Sequence, residues 1–151
     1  MRLKRFGALS SALVLSISSL FIIALPGAVH ALGVTLYWCN PAGGDFNTAA
    51  NWNTASDCSS GTQEVPAVGD DLIFDNTNLT ATAAINNDIT GLDIDSITFQ
   101  GTNSSGYGFT ITGDAMSLDN GITESSSSTV DEIGLDLTLT ASQAFTDSTG
   151  A

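Results

Sequence analysis

The sequence predicts an all-β protein built as a parallel β-solenoid, in which each coil of the chain adds one rung to the same sheets. Three observations favour this fold. Short apolar runs alternate with polar residues at the period of a strand, turn-forming clusters separate the runs, and Ile97, Leu118 and Leu139 recur at equal intervals. An antiparallel β-sandwich is the alternative, because its strands recur at about half the interval of a coil.

Residues 1–31 are predicted to be a signal peptide. Arg2, Lys4 and Arg5 give a basic start, an apolar stretch follows over 8–25, and Ala31 is a small residue suited to cleavage. A retained membrane anchor is the alternative, since the stretch 8–25 is close in length to the shortest helix that spans a bilayer. Its serine content favours the signal peptide. We therefore expect an exported protein that is extracellular or located at the cell surface.

The segment 32–75 is predicted to be an N-terminal cap with a disulfide loop. Cys39 and Cys58 are the two cysteines of the sequence, and export brings them into an oxidising compartment. A bridge between them closes a short loop and stabilises the fold by about 3 kcal/mol on the chain-entropy model. A redox or metal pair is the alternative, but the spacing is not Cys-x-x-Cys and no histidine follows them.

Trp38 and Trp52, together with Tyr37 and Phe46, are predicted to plug the open end of the solenoid beneath the disulfide loop. The alternative is that the tryptophans are exposed and stack on sugar rings. Burial of the indole rings therefore favours a cap, whereas exposure favours a carbohydrate-binding module.

Residues 76–151 are predicted to form the first coils of a longer solenoid. The strand-like runs of the exported chain alternate apolar and polar residues and are rich in β-branched Thr and Ile. They lie at 72–74, 97–99, 109–111, 116–118 and 135–139. Clusters such as 101–108 and 124–129 contain residues that favour turns. Each run is therefore expected to be a short strand with one buried face.

Several motifs taken together resemble those of a known family. They are Tyr37-Trp38, Asn51-Trp52, Pro66-x-x-Gly69-Asp70-x-x-x-Phe74-Asp75, Ser96-Ile97-x-Phe99-x-Gly101 and Leu118-x-x-Gly121-Ile122. This pattern is similar to the start of autotransporter-associated β-strand repeat proteins, which are large bacterial surface and secreted proteins. The resemblance implies the cap and first coils of a right-handed β-helical passenger, with downstream solenoid repeats as neighbours. The glycine-rich repeats that usually fill the middle of such passengers are not present.

Two groups of carboxylates are the candidates for a chemical site. The first group is Asp70, Asp71, Asp75 and Asn76. Its oxygen atoms are of the kind that Ca²⁺ prefers, but the group lacks the loop pattern of a dedicated calcium site. Asp93 and Asp95 are expected to share one strand face. A glycosidase needs two carboxylates that face each other across a groove. We therefore predict no catalytic residue, no metal and no cofactor.

The charge distribution excludes several classes of function. Lysine and arginine end at Arg5, the one histidine is His30, and sixteen carboxylates follow, so the exported part has a formal charge of −16. Nucleic acids and anionic lipids are bound through basic residues, and Ser-His-Asp and His-ligated zinc sites need histidine. We predict a non-enzymatic extracellular or cell-surface module, adhesin-like or passenger-like, whose partner is a surface polysaccharide or a host-cell ligand. A carbohydrate-binding or carbohydrate-processing β-helix is the alternative.

Overall fold

The computed structural model describes residues 33–128 and 130–148, and this part of the chain consists of short β-strands and turns. The predicted signal peptide, 1–31, lies outside the described residues. The strands are β1 Thr35–Trp38, β2 Gly43–Asp45, β3 Trp52–Asn53, β4 Asp71–Asp75, β5 Ala83–Asn87, β6 Leu92–Gln100, β7 Phe109–Gly113, β8 Met116–Glu124, β9 Glu132–Ile133, β10 Leu137–Leu139 and β11 Ala144–Asp147. One short 3₁₀ turn, Ala49–Asn51, precedes β3.

The strands form two sheets that the chain visits in turn. The larger sheet has the order β10-β8-β6-β4-β1-β3, with β11 also paired to β8, and the smaller sheet has the order β2-β5-β7-β9. All neighbouring pairs are parallel except β1 with β3. The predicted β-solenoid is therefore confirmed, and the antiparallel sandwich is wrong. The right-handed sense of the coils stays a prediction.

The larger sheet runs without interruption through the predicted boundary at residue 75. Strands β1 and β4 lie within the segment 32–75, yet β1 pairs with β4 and β4 pairs with β6 in the same parallel sheet. Strand β3 runs antiparallel along the other edge of β1. Because β3 occupies that edge, it satisfies the backbone groups that would otherwise be free to pair with another chain.

The coil around Ile97 is longer than the interval that the sequence predicted. Ile97 pairs with Leu72 of the preceding rung and with Ile122 of the following one. The prediction that Ile97 and Leu118 are equivalent is therefore wrong. Leu118 does pair with Leu139, so the predicted interval holds for the next rung.

A β-bulge in β8 explains why the register shifts within one strand pair. Ile94 pairs with Leu118, whereas the next registered pair is Ser96 with Gly121, so two residues of β8 oppose one residue of β6. The alternation of β6 breaks at the same place. Ile94 and Ile97 are both fully buried, although strict alternation would turn residues three apart to opposite faces.

The core is a set of columns of in-register apolar residues, because equivalent residues of parallel strands point to the same face. Leu36, Leu72 and Ile97 form one column of the larger sheet, and all three are fully buried. Ile85 and Ile111 form a column of the smaller sheet. Burial of each of these side chains stabilises the fold by about 1.5 to 3 kcal/mol.

A second column of the larger sheet changes from aromatic rings to carboxylates along the stack. The ring of Phe74 lies 6.3 Å from that of Trp38 and 5.4 Å from that of Phe99, measured between centroids. Phe99 is in register with Glu124, which is in register with Asp147. The hydrophobic contribution of this column therefore falls toward the last rung.

Polar residues at the corners tie neighbouring coils together. Asn87 is fully buried and its side-chain amide donates to the carbonyl oxygen of Asp114 (2.8 Å). The Asn103 amide donates to two carbonyl oxygens of the preceding coil at 2.8 and 2.9 Å. Gly113 has a φ of 109°, and a Cβ atom there would lie 2.3 Å from the Asn87 carbonyl oxygen. The predicted turn clusters are thus corners whose Asn and Gly residues have defined roles.

The last described rung leaves its apolar columns uncovered. Leu139 follows Leu118 in register, and Phe145 follows Ile122. Yet 49% of the Leu139 surface and 61% of the Phe145 surface are exposed. Their exposure follows from position, because they occupy inward-facing columns with no further rung packed on them in the described part of the chain.

Candidate functional site

A cavity of about 380 Å³ lies beside the disulfide loop, next to the ends of β1 and β4. It is lined by Tyr37, Trp38, Cys39, Pro41, Ser56, Asp57, Cys58, Asp75, Thr77, Asn78, Leu79 and Phe109. The lining residues that are buried in the fold are apolar, namely Trp38, Leu79 and Phe109. The exposed lining residues are mainly polar. The cavity therefore has an apolar floor and a polar rim, and its volume is in the range of small-molecule sites.

The disulfide loop forms one wall of this cavity. The Cα atoms of Cys39 and Cys58 are 5.6 Å apart and the two residues form a disulfide, so the predicted pairing is confirmed. The loop is also closed by backbone hydrogen bonds, since the Cys58 N–H donates to Ala55 (3.0 Å) and the Thr54 N–H donates to Thr62 (3.0 Å). Covalent and hydrogen-bonded closure together fix the wall in place.

Two carboxylates give the rim its charge. The backbone N–H groups of Ser59 and Ser60 both donate to Asp57 at 2.9 Å, and these bonds lower the pKa of Asp57 to about 2. Asp75 accepts hydrogen bonds from the Thr77 N–H (2.9 Å) and from the Gln100 side chain (3.2 Å). The described residues contain no lysine, arginine or histidine, so no cationic side chain of this region balances the rim.

The two tryptophans are buried in an aromatic cluster. Trp52 is fully buried and Trp38 is 5% exposed, with their rings edge to face at 4.9 Å. The Trp52 indole N–H donates to the Phe46 carbonyl oxygen (3.0 Å), and the Trp38 indole N–H donates to that of Asn40 (2.6 Å). Tyr37 is half-buried and lines the cavity. The burial of Trp52 removes it as a surface for sugar stacking, while its role in closing the solenoid end stays a prediction.

The carboxylates considered for calcium form hydrogen bonds within the fold. The side chain of Asp70 is buried and accepts from the backbone N–H groups of Val34 (2.9 Å) and Ala67 (2.8 Å). Asp71 accepts a hydrogen bond from the Ser96 hydroxyl group of the next coil. No group of three or more His, Cys, Asp or Glu residues in 33–128 and 130–148 is arranged to hold a metal ion. These aspartates therefore tie separate segments of the chain together.

Asn76, the remaining member of that group, is fully buried at the corner after β4. Its backbone N–H donates to Gln100, and its carbonyl oxygen accepts from the Leu79 N–H and the Asn103 side chain. The Asn76 side-chain amide has no hydrogen-bond partner. The residue thus connects coils through its backbone.

Asp93 and Asp95, the pair considered for glycoside hydrolysis, lie in β6 on either side of Ile94. Both are half-buried, and Asp95 lies opposite the bulge, where it accepts a long hydrogen bond from the Asn120 side chain (3.5 Å). Neither carboxylate lines the cavity beside the disulfide loop. The fold therefore does not bring this pair together with the candidate site.

Several residues that shape the cavity were not predicted from the sequence as site residues, among them Asp57, Thr77, Leu79 and Phe109. The pattern Asp57-x-Ser59 is typical of a turn in which the carboxylate accepts backbone N–H bonds, so it was a usable signal for a fixed negative charge. Leu79 and Phe109 are distant in sequence, and only the correct coil register brings them to one place.

The fold defines the chain as a β-solenoid protein. Comparisons with protein-family models, curated proteins and solved structures found no match to it. The resemblance to autotransporter-associated β-strand repeat proteins therefore stays a prediction. Within the described ranges, no helix has the length and apolar character needed to cross a membrane.

Proposed function

We propose that this chain is a non-enzymatic β-solenoid module that acts outside the cell, as an adhesin-like or passenger-like element of the cell surface. The observation that carries the proposal is the Cys39–Cys58 disulfide in the first coil, because stable disulfides are typical of exported proteins. The stacked coils are consistent with a structural role, since each rung is stabilised by its neighbours and the stack forms an extended surface.

The uncovered last rung supports the further proposal that additional solenoid rungs are the natural neighbours of this module. Leu139 and Phe145 belong to inward-facing columns, and a following rung would bury both side chains. Sixteen carboxylates against three basic residues in the sequence disfavour pairing of this edge with a second copy. A covalently connected rung places apolar residues over the columns without bringing two equally acidic chains together.

The location is tested on intact cells of the organism that encodes the protein. An antibody raised against the folded module should label unpermeabilised cells or detect the protein in the medium, and a cytoplasmic protein serves as the negative control. Non-reducing electrophoresis of the recovered protein should show the disulfide intact. Labelling that requires permeabilisation, together with two free thiols, would contradict the extracellular role.

The rung proposal is tested by adding a coil to the chain. A copy of residues 101–124, which contains β7 and β8, is fused after residue 148, and a shuffled copy of the same residues is the control. The intact copy should slow amide hydrogen exchange of β11, because β11 would then be flanked on both edges. Equal exchange rates of β11 in the two fusions would show that an added rung does not pair with the last rung.

A further inference from the structure

We propose that the cavity beside the disulfide loop binds a small organic cation with an apolar body, such as an arylalkylammonium compound. The proposal is independent of the structural role argued above, since it concerns one cavity formed by residues of the first three coils. It is carried by the combination of an apolar floor, a fixed anionic rim and the lack of positive side chains in the described region.

The floor fits the apolar body of such a ligand. Trp38, Leu79 and Phe109 line the cavity and are almost fully buried in the fold. The Trp38 indole N–H is already bonded to the Asn40 carbonyl oxygen, so this ring presents an apolar surface to a ligand. The floor therefore favours an apolar group.

The rim fits the charge of the ligand. The hydrogen bonds from Ser59 and Ser60 hold the Asp57 carboxylate in one position, and the Thr77 N–H and the Gln100 side chain hold that of Asp75. Each carboxylate can accept more hydrogen bonds than these, because it has about four lone-pair positions. An ammonium group can therefore donate to carboxylates that need little rearrangement, which lowers the cost of binding.

The rim also selects against other ligands. An anion would face two carboxylates with no compensating lysine, arginine or histidine among the described residues. A neutral sugar could place a C–H face on the apolar floor, but it carries no charge for the carboxylates of Asp57 and Asp75 to attract. A cation with an apolar body satisfies both parts of the cavity.

The test compares three probes on the full chain after export. Phenethylammonium carries the charge and the apolar body, 2-phenylethanol is its neutral counterpart, and methyl glucoside represents a neutral sugar. Binding is followed by isothermal titration and by amide chemical shifts at fixed ionic strength. Phenethylammonium should bind with a Kd on the order of 1 mM and roughly tenfold more tightly than 2-phenylethanol. Its shift changes should centre on residues 37–39, 56–58 and 75–79.

Matched variants separate the site from the general negative charge of the protein. Asp57→Asn combined with Asp75→Asn keeps an oxygen acceptor at each position but removes both charges, so it should abolish the preference for the cation. Asp45→Asn combined with Asp88→Asn removes the same charge outside the cavity and should leave the preference unchanged. Asn78→Trp fills the exposed rim with both carboxylates intact and should block binding. It keeps the test decisive if the Asp57→Asn and Asp75→Asn double variant fails to fold.

Several outcomes would overturn the proposal. Equal binding of phenethylammonium and 2-phenylethanol would show that the carboxylates do not select charge. A cation preference that survives Asp57→Asn with Asp75→Asn, or Asn78→Trp, would place binding elsewhere. An equal loss of the preference for the cation in the Asp45→Asn and Asp88→Asn control would show that the preference comes from the net charge of the protein. Tighter binding of methyl glucoside would replace the cation with a sugar.

Discussion

Replacement of Trp52 is the most direct test of how the first coil is stabilised. Its ring is fully buried and lies edge to face with Trp38 (4.9 Å) and Phe46 (5.0 Å), and 5.7 Å from Phe74. Trp52→Ala empties this space and should lower the free energy of unfolding by about 3 to 5 kcal/mol. The lost indole N–H leaves the Phe46 carbonyl oxygen without its donor, which adds about 1 kcal/mol.

A second variant separates the two parts of this loss. Trp52→Phe keeps an aromatic ring and removes the N–H donor, so we expect a loss of about 1 to 2 kcal/mol. Phe145→Ala is the control, because Phe145 is also aromatic but is 61% exposed. Its replacement should change stability by less than about 1 kcal/mol.

The assay is urea unfolding followed by far-ultraviolet circular dichroism, with the slope against urea compared among the variants. A native domain is stable by only about 5 to 15 kcal/mol, so Trp52→Ala leaves a marginal protein. Trp52→Phe carries the comparison if the alanine variant does not fold. An unfolding midpoint of Trp52→Ala equal to that of the parent would refute the argument that the aromatic cluster stabilises this end of the solenoid.

Three further predictions concern the rest of the stack. Burial, together with the nearby charges of two other carboxylates, raises the pKa of Glu124 above its ordinary value of 4.5. The contribution of Glu124 to stability is therefore greatest below pH 4.5 and is lost as the pH rises through the higher pKa of the folded state. Glu124→Gln should raise the melting temperature at pH 7 but not at pH 3.5, and equal shifts at the two pH values would contradict this. Replacing Cys39 and Cys58 by alanine should cost about 3 kcal/mol in urea unfolding, whereas a variant as stable as the oxidised parent would show that the bridge does not constrain the unfolded chain. Gly113→Ala should lower stability by about 2 kcal/mol or more, because the added Cβ meets a backbone oxygen of the neighbouring coil. Gly91 has a φ of 72° but open space around it, so Gly91→Ala should lower stability by only about 1 kcal/mol in the same thermal assay.

The strand positions could be predicted from the sequence, but their register could not. Period-two alternation and turn clusters identified runs such as 97–99 and 109–111, which lie in β6 and β7. The equal intervals then paired Ile97 with Leu118, because the one local signal of the bulge between these positions, the isolated Gly121 inside the strand pattern, does not show how far the register shifts. Register depends on which apolar residues meet across coils, and several regular spacings fit such a short stack.

The candidate site shows the same limit. The Cys39–Cys58 pairing could be predicted, because the two cysteines of the sequence have only one intramolecular pairing. The cavity could not be predicted, since its floor brings Leu79 from the corner after β4 together with Phe109 from the smaller sheet. Asp57 was visible as a turn residue, yet its place on a rim depends on how the disulfide holds its loop against β1.

The change from aromatic rings to carboxylates along one column gives the stack a mechanical direction. A pull on the C-terminal end should peel β11 and then β10 from β8 in separate steps, because each forms its own set of pairs with β8. Resistance should rise as the force reaches the coils that contain Phe99, Phe74 and Trp38. The Cys39–Cys58 bond prevents full extension of the first coil. The loop between the two cysteines would therefore stay tethered beside β1 while the later rungs peel, and rewinding can start there when the force is released.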